Sequence, residues 1–378
     1  PLRLIAWLGQ RAFVSYPKVS LSSSVLSRRP FHFHMAGSFK SAALAADTSS
    51  LPDQKDPGAS FKSNTWQWTV NDQSVKIYYE EHGNPNFPSK KILMLPTISS
   101  VSTVQEWRSI AREIVQKKDA GNWHATIVDW PGMGFSDRPK LDYNSDLMEA
   151  FLADFIDASD GPLRQREDDD LVIFGAGHAT TLLLHAANKG LVKPAAVAAV
   201  APTWAGPFPI IFGRDSTMES RYGMFRGAVR APYVGWMAYK MLISNASAVE
   251  KQFKAHVYAD ASHVTPEILS SRYQLTQRPG ARYAPAAFLT GLMDPVKSRE
   301  EFLELYATVE GAFPVVVLSS SGAPARSKAE MEALRGAKGV AKYVEVPGAL
   351  LPQEEYPHAV EKELREFLLD VSQRTPIM

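Results

Sequence analysis

From about residue 92 onward, short apolar runs of strand character alternate with stretches of helical spacing, and this alternation constrains the fold more than any other feature of the chain. The runs at 92–95, 125–128, 171–174, 195–200, 314–318 and 343–346 are short, apolar and bounded by turn residues. Between them, 101–116, 144–156, 180–188, 329–335 and 358–371 place apolar residues one helical turn apart. Trp107, Ile110 and Ile114 form one such stripe, and Leu147, Phe151, Leu152 and Phe155 another. Repeated strand, crossover helix and strand predict an α/β fold: a mostly parallel central sheet with helices on both faces. Upstream, 66–70 and 75–79 read as a β-hairpin turning near Asn71-Asp72.

The alternation breaks between about residues 204 and 295. That segment is helical in composition and rich in Met, Tyr and Trp. It is expected to be an inserted helical cap over the C-terminal edge of the sheet, where open α/β folds bind ligands. The cap splits the core into 63–203 and 296–372. Residues 47–62 are polar, with Pro, Ser and Asp, and read as a linker.

Residues 1–46 contain no acid. They carry Arg3, Arg11, Lys18, Arg28, Arg29 and Lys40, and serines cluster over 20–27. This is the composition of an organellar transit peptide, chloroplast (stroma) first and mitochondrion as the alternative. Met35 offers an alternative start, from which the stretch to Ala46 still lacks acids.

Composition narrows the function. The 378 residues carry a formal net charge of +1, against a nucleic-acid binder. Cysteine is absent, which excludes disulfides, thiolate metal sites and a cysteine nucleophile. No apolar run is long enough for a transmembrane helix. Neither a metal-ligand cluster nor a phosphate loop is visible, and Gly175-Ala176-Gly177 lacks the third glycine of a dinucleotide fingerprint, so no cofactor is expected.

Three stretches identify a family. Asp129-Trp130-Pro131-Gly132-Met133-Gly134-Phe135-Ser136-Asp137-Arg138-Pro139 closely resembles the D-x-P-G-x-G-x-S-D-x-P loop of α/β-hydrolases. Leu351-Pro352-Gln353-Glu354-Glu355-Tyr356-Pro357 is similar to the segment that follows their catalytic histidine. Phe174-Gly175-Ala176-Gly177-His178-Ala179 stands at a strand-to-helix turn, where the nucleophile elbow G-x-S-x-G belongs. The resemblance spans about residues 65–370 and implies the α/β-hydrolase fold, with a plant or algal plastid setting suggested by the leader.

The same resemblance implies a nucleophile, a base, an acid and an oxyanion hole, and each expected position is altered. Gly177 stands where the nucleophile should be. The acid positions after 314–318 hold Gly322 or Ala323, the base position holds Leu350, and Pro96-Thr97 replaces the His-Gly pair of the oxyanion hole. Proline donates no N–H there, which leaves Thr97 or Ile98. Asp294 is an alternative acid, with a helix or turn cap alongside Pro295 as its plainer role. The run Ser319 to Ser321 reads as a solvated turn.

The ligand-pocket candidates are therefore Thr97, Ser99, Gly177, His178 and Trp204. Core packing is the plainer role for His178 and Trp204. No residue is assigned as catalytic, and no metal ligand is assigned. Three functions stay open: a pseudo-hydrolase binding a small apolar molecule or a protein partner; an ester or lipid hydrolase with relocated residues such as His178 with Ser319, Ser320 or Asp294; and a scaffold subunit of a plastid assembly. Asn245-Ala246-Ser247 matches a glycosylation sequon that a plastid protein would leave unused.

Overall fold

The structure, a computed structural model of the chain, describes residues 61–83, 90–117, 121–163 and 171–374. The leader expected over 1–46 lies outside the described residues, as does most of the expected linker. The linker's last two residues are instead part of the sheet. Strand β1 (Phe61–Val70) begins at Phe61, which pairs with His82 of β2 (Gln73–His82) and stacks on its ring at 5.1 Å. The two strands form the expected hairpin. Asn71 and Asp72 both take positive φ, 47° and 58°, the two-residue turn whose twist matches that of paired strands.

Six more strands complete the sheet: β3 (Lys90–Leu95), β4 (Trp123–Val128), β5 (Leu171–Ala176), β6 (Ala196–Val200), β7 (Val315–Ser320) and β8 (Val340–Val346). Their order is β1-β2-β4-β3-β5-β6-β7-β8. The β1–β2 and β2–β4 pairs are antiparallel, and all others are parallel. This is the α/β fold anticipated from the alternation.

Helix α1 (Arg108–Gln116) starts later than its apolar spacing suggested. A single 3-10 turn, Val104–Glu106, precedes it. The Asp129 carboxylate accepts the Val104 N–H at 2.7 Å, and the Glu106 carboxylate turns inward onto Thr97, so the first residues are held in an irregular approach. Helix α2 (Ser145–Asp157) is capped by Asn144, which accepts the Leu147 N–H at 2.8 Å. Helix α3 (His178–Asn188) follows β5 directly.

Between β6 and β7 lie α4 (Pro207–Phe212), α5 (Ser216–Arg230), α6 (Val234–Leu242), α7 (Ala246–Gln252), α8 (Pro266–Gln277), α9 (Tyr283–Leu289) and α10 (Arg299–Ala307). Asn245 of the sequon caps α7, accepting the Ala248 N–H at 2.7 Å. Helix α11 (Ala325–Glu332) lies a turn earlier than the expected 329–335: Pro324 stands at its N-cap in extended geometry, and its carbonyl accepts the first helical bond, from the Lys328 N–H at 2.9 Å. A one-turn helix α12 (Pro352–Glu355) leads into α13 (Pro357–Arg374).

Strand residues alternate between two cores. Leu171 and Ile173 of β5 face the layer of α2 and α3, with Phe151, Phe155, Leu182 and Leu183. Val172, Phe174 and Ala176 face the layer of α1 and α13, with Ile110, Ile114, Leu364 and Leu368. A third cluster joins Val249, Phe253, Val257, Tyr258 and Val264 of the helical segment to Val101 and Leu351. That packing lays part of the segment over the loops that leave β3 and β8. Strand order reverses between β3 and β5, so the carboxyl ends of these two strands flank the crevice where such sheets place their sites.

Candidate functional site

The Asp129 loop supports this edge of the sheet. The buried Asp129 carboxylate accepts N–H bonds from Val104 at 2.7 Å and Phe135 at 2.6 Å, and burial pushes its pKa up to about 7. Ser136 donates to the Asp129 carbonyl at 2.8 Å and accepts the Tyr78 N–H at 2.9 Å. Every bond points inward, so the loop ties β2 to the start of the α1 region.

The elbow is built as the sequence suggested. Gly177 has φ 56° and ψ −128°, and its N–H donates to the Val200 carbonyl at 2.8 Å. That conformation is costly for any residue with a Cβ and free for glycine. There is also little room for one: a Cβ on Gly177 would stand 3.3 Å from Thr97 Cγ2 and 3.8 Å from Thr203 Oγ1. The Thr97 methyl therefore lies against the point from which a nucleophile would project.

Thr97 is equally committed at its polar atoms. Its N–H and its hydroxyl each donate to the Glu106 carboxylate at 2.8 Å, and its hydroxyl shares a 2.7 Å bond with Ser102. Ser102 is bonded to Ser99 at 2.9 Å. Of the two amides expected to serve an oxyanion hole, that of Thr97 thus already has a carboxylate acceptor. Glu106 is fully buried, and its pKa is pushed up to about 7, chiefly by burial and secondarily by Glu354, against the pull of Arg272. Gln353 donates to Glu106 at 3.2 Å. Arg272 of α8, also buried, pairs with Glu354 and donates to the Val101 carbonyl at 3.4 Å. Desolvation of so many charges is repaid only by mutual pairing of this kind.

The histidine-following segment proves to be a clamp. Glu355 accepts N–H bonds from Ala259 at 2.9 Å, Asp260 at 2.8 Å and Ala349 at 3.1 Å. Leu350, at the base position, donates its N–H to the Val257 carbonyl at 3.0 Å. At Gly322, one of the two residues expected in the acid position, a Cβ would meet Ala259 Cβ at 2.6 Å and the Gly348 carbonyl at 2.9 Å. The inserted segment and the Gly348 carbonyl leave no room for a side chain at Gly322.

His178 is buried at the first position of α3. Its Nε2 lies 3.1 Å from the Met293 carbonyl and 3.3 Å from Asp294 Oδ1, and its ring packs edge-on to Phe288. With Nε2–H donating to these oxygens, Nδ1 is left without a hydrogen-bond partner among the described residues. Asp294 does more than cap a turn. Both its oxygens accept the Gly206 N–H at 3.0 Å at the start of α4, and it pairs with Arg214. Burial raises its pKa, opposed by His178, Gly206 and Arg214.

The remaining candidates are not drawn to His178. Ser319 and Ser320 are not in a solvated turn. Both are buried at the end of β7, where pairing with β8 continues through Ser320↔Val346. Ser319 donates toward the Val344 carbonyl at 3.4 Å and Ser320 toward the Met331 sulfur at 3.9 Å. Trp204 is half-buried, and its indole N–H donates to Glu330 of α11 at 3.0 Å. Concavities of about 500 Å3, lined by Pro266, Glu267, Ser270, Ser271 and Gln274, and about 190 Å3, beside Pro314 and Phe367, include none of the five candidates. Glu106, Arg272 and Arg214 carried no sequence signal, because a charge destined for burial is spelled like one on the surface; Glu354 and Glu355 stood in the recognised segment, which did not say what they would bind.

The chain belongs to the alpha/beta hydrolase family: residues 95–363 match that family's sequence profile. No curated protein sequence matches it. Among solved structures it is similar to a bromoperoxidase from Bacillus anthracis (TM-score 0.57, 13% identity, 81% of this chain and 99% of that one). It is likewise similar to a thermophilic esterase from Thermogutta terrifontis (0.57, 16%, 82% and 99%) and to the haloalkane dehalogenase DatA from Agrobacterium tumefaciens C58 (0.56, 16%, 82% and 97%). At these identities the likeness establishes the fold.

Proposed function

We propose that this chain is a non-hydrolytic member of the alpha/beta hydrolase family that works by binding. One observation carries the reading. Glycine stands at the elbow with the Thr97 methyl against it, and the Thr97 amide and hydroxyl are committed to Glu106. Acyl transfer needs a nucleophile and free donors for the developing oxyanion, and both requirements meet occupied or empty positions here. A protein or surface partner fits better than a small apolar molecule in the crevice, since the polar network fills the ground beside Thr97. The acid-free leader favours a plastid setting, with the chain as a scaffold subunit one form of that partnership.

A second reading, an ester hydrolase with relocated residues, draws on the 3.3 Å approach of His178 to Asp294. One assay separates the two. Purified protein is offered short-chain and long-chain activated esters alongside a fluorophosphonate probe. The expected result is neither turnover nor labelling. Turnover that disappears in His178→Ala overturns the binding reading. A rise in melting temperature with a bound apolar molecule, without turnover, shifts the partner from protein to small ligand.

A further inference from the structure

The helical segment between β6 and β7 presents an apolar surface that no other part of the described chain covers. It centres on α6. Tyr233, Trp236, Met237 and Met241 are 89%, 52%, 56% and 70% exposed, with Val234 beside them and Met224 of α5 exposed as well. The opposite face of α6 is packed: Tyr239 is buried, and a Cβ on Gly235 would stand 2.2 Å from the Val229 carbonyl. The helix is therefore anchored by one apolar face and offers a second to its surroundings. Exposed apolar side chains grouped in this way mark a contact surface.

Charge identifies the contact. Between Glu219 and Glu250 the sequence has no acid, while Arg221, Arg226, Arg230 and Lys240 lie in that interval. Arg230 is paired with Asp142, and Arg226 donates to Thr290. Arg221 and Lys240 are exposed, and the Lys240 ammonium sits 4.3 Å from the Trp236 ring centre. Exposed Tyr233 and Trp236, the Lys240 ammonium over the Trp236 ring, exposed methionines and an intervening sequence without acids match the interface of an anionic bilayer, the exposed Asp142 alongside being paired with Arg230: rings settle at headgroup level, methionines reach the acyl boundary, and lysine extends to the lipid phosphates. No helix among the described residues is long and apolar enough to cross a membrane, so a lipid contact here would be interfacial.

We infer that α6 and the adjoining end of α5 dock this protein onto an anionic lipid surface. The inference is independent of whether the crevice turns over an ester.

The test uses the full chain with phosphatidylcholine vesicles prepared with and without phosphatidylglycerol. The expected result is co-sedimentation with the anionic vesicles only, weakened by salt. Arg221→Glu and Lys240→Glu should each weaken binding by at least about fivefold, the loss expected per basic residue near a charged surface. Trp236→Glu should abolish it with an unchanged melting temperature. Brominated lipid should quench wild-type tryptophan fluorescence, and Trp236→Phe, which keeps the apolar surface, should remove most of that quenching. Equal binding to neutral vesicles, no binding to either, or quenching indifferent to Trp236→Phe overturns the inference. So does self-association that Trp236→Glu dissolves, which would assign the surface to a second copy of the chain.

Discussion

Replacing Gly177 by serine would restore the residue type expected at the elbow, and it tests whether this position was surrendered or is merely empty. The substitution forces a Cβ into φ 56° and brings it to 3.3 Å from Thr97 Cγ2. Backbone strain of this kind costs about 1–3 kcal/mol. Unfolding entropy of about 2.1 cal/mol/K per residue, over roughly 300 ordered residues, gives about 0.6 kcal/mol/K, so the melting temperature should fall by about 2–5 °C. Thr97→Ser removes the methyl while keeping the hydroxyl bonds to Glu106 and Ser102. Combined with Gly177→Ser it should recover part of the loss, with a coupling of about 0.5–1 kcal/mol, and what remains is the backbone strain. Calorimetry on the four chains of this cycle measures both parts. Fluorophosphonate labelling of Gly177→Ser should stay at background, because no base stands at position 350 and the Thr97 amide is taken. A Gly177→Ser chain as stable as wild type, or one labelled stoichiometrically in a His178-dependent manner, would refute the reasoning.

Two further tests probe the network around the crevice. Glu106 titrates near 7 in the folded chain, above its ordinary value of 4.5, so between those limits the folded state binds more protons than the unfolded state and stability falls as pH rises. Glu106→Gln mimics the protonated form, and its melting temperature should match wild type near pH 5 and exceed it increasingly up to pH 8, by on the order of 2–3 kcal/mol; Asp129 titrates in both chains and cancels in the difference. Glu355→Ala strips three N–H groups of their shared carboxylate and should cost about 2–4 kcal/mol in urea unfolding, with early proteolysis at Ala259-Asp260 as the local sign that the inserted segment has come loose.

Much of this molecule was legible from local pattern. The period of the apolar residues gave the strands and the helices of the core layers, and Asn71-Asp72 and Gly177 announced their turns, because φ preference and short-range hydrogen bonding act over a few residues. The Asp129-to-Pro139 loop was recognisable for the same reason: its bonds to Ser136 and Phe135 close within one stretch of chain. Element boundaries slipped where a distant group intervened, as at Glu106 before α1, and at Ser319 and Ser320, which pairing with β8 keeps inside the sheet.

The sequence by itself therefore determined the α/β-hydrolase architecture and the absence of a side chain at the elbow. Tertiary structure alone decided what surrounds that absence. It set Thr97 against Gly177, turned Glu106 inward to hold the Thr97 amide, packed Ala259 against Gly322, and drew Asp294 to His178 across 116 positions of sequence. Each is a contact between residues whose identities carry no mark of one another. Burial, and the pairing that burial demands of a charge, arise only when the sheet has assembled and the helical segment has closed over its edge.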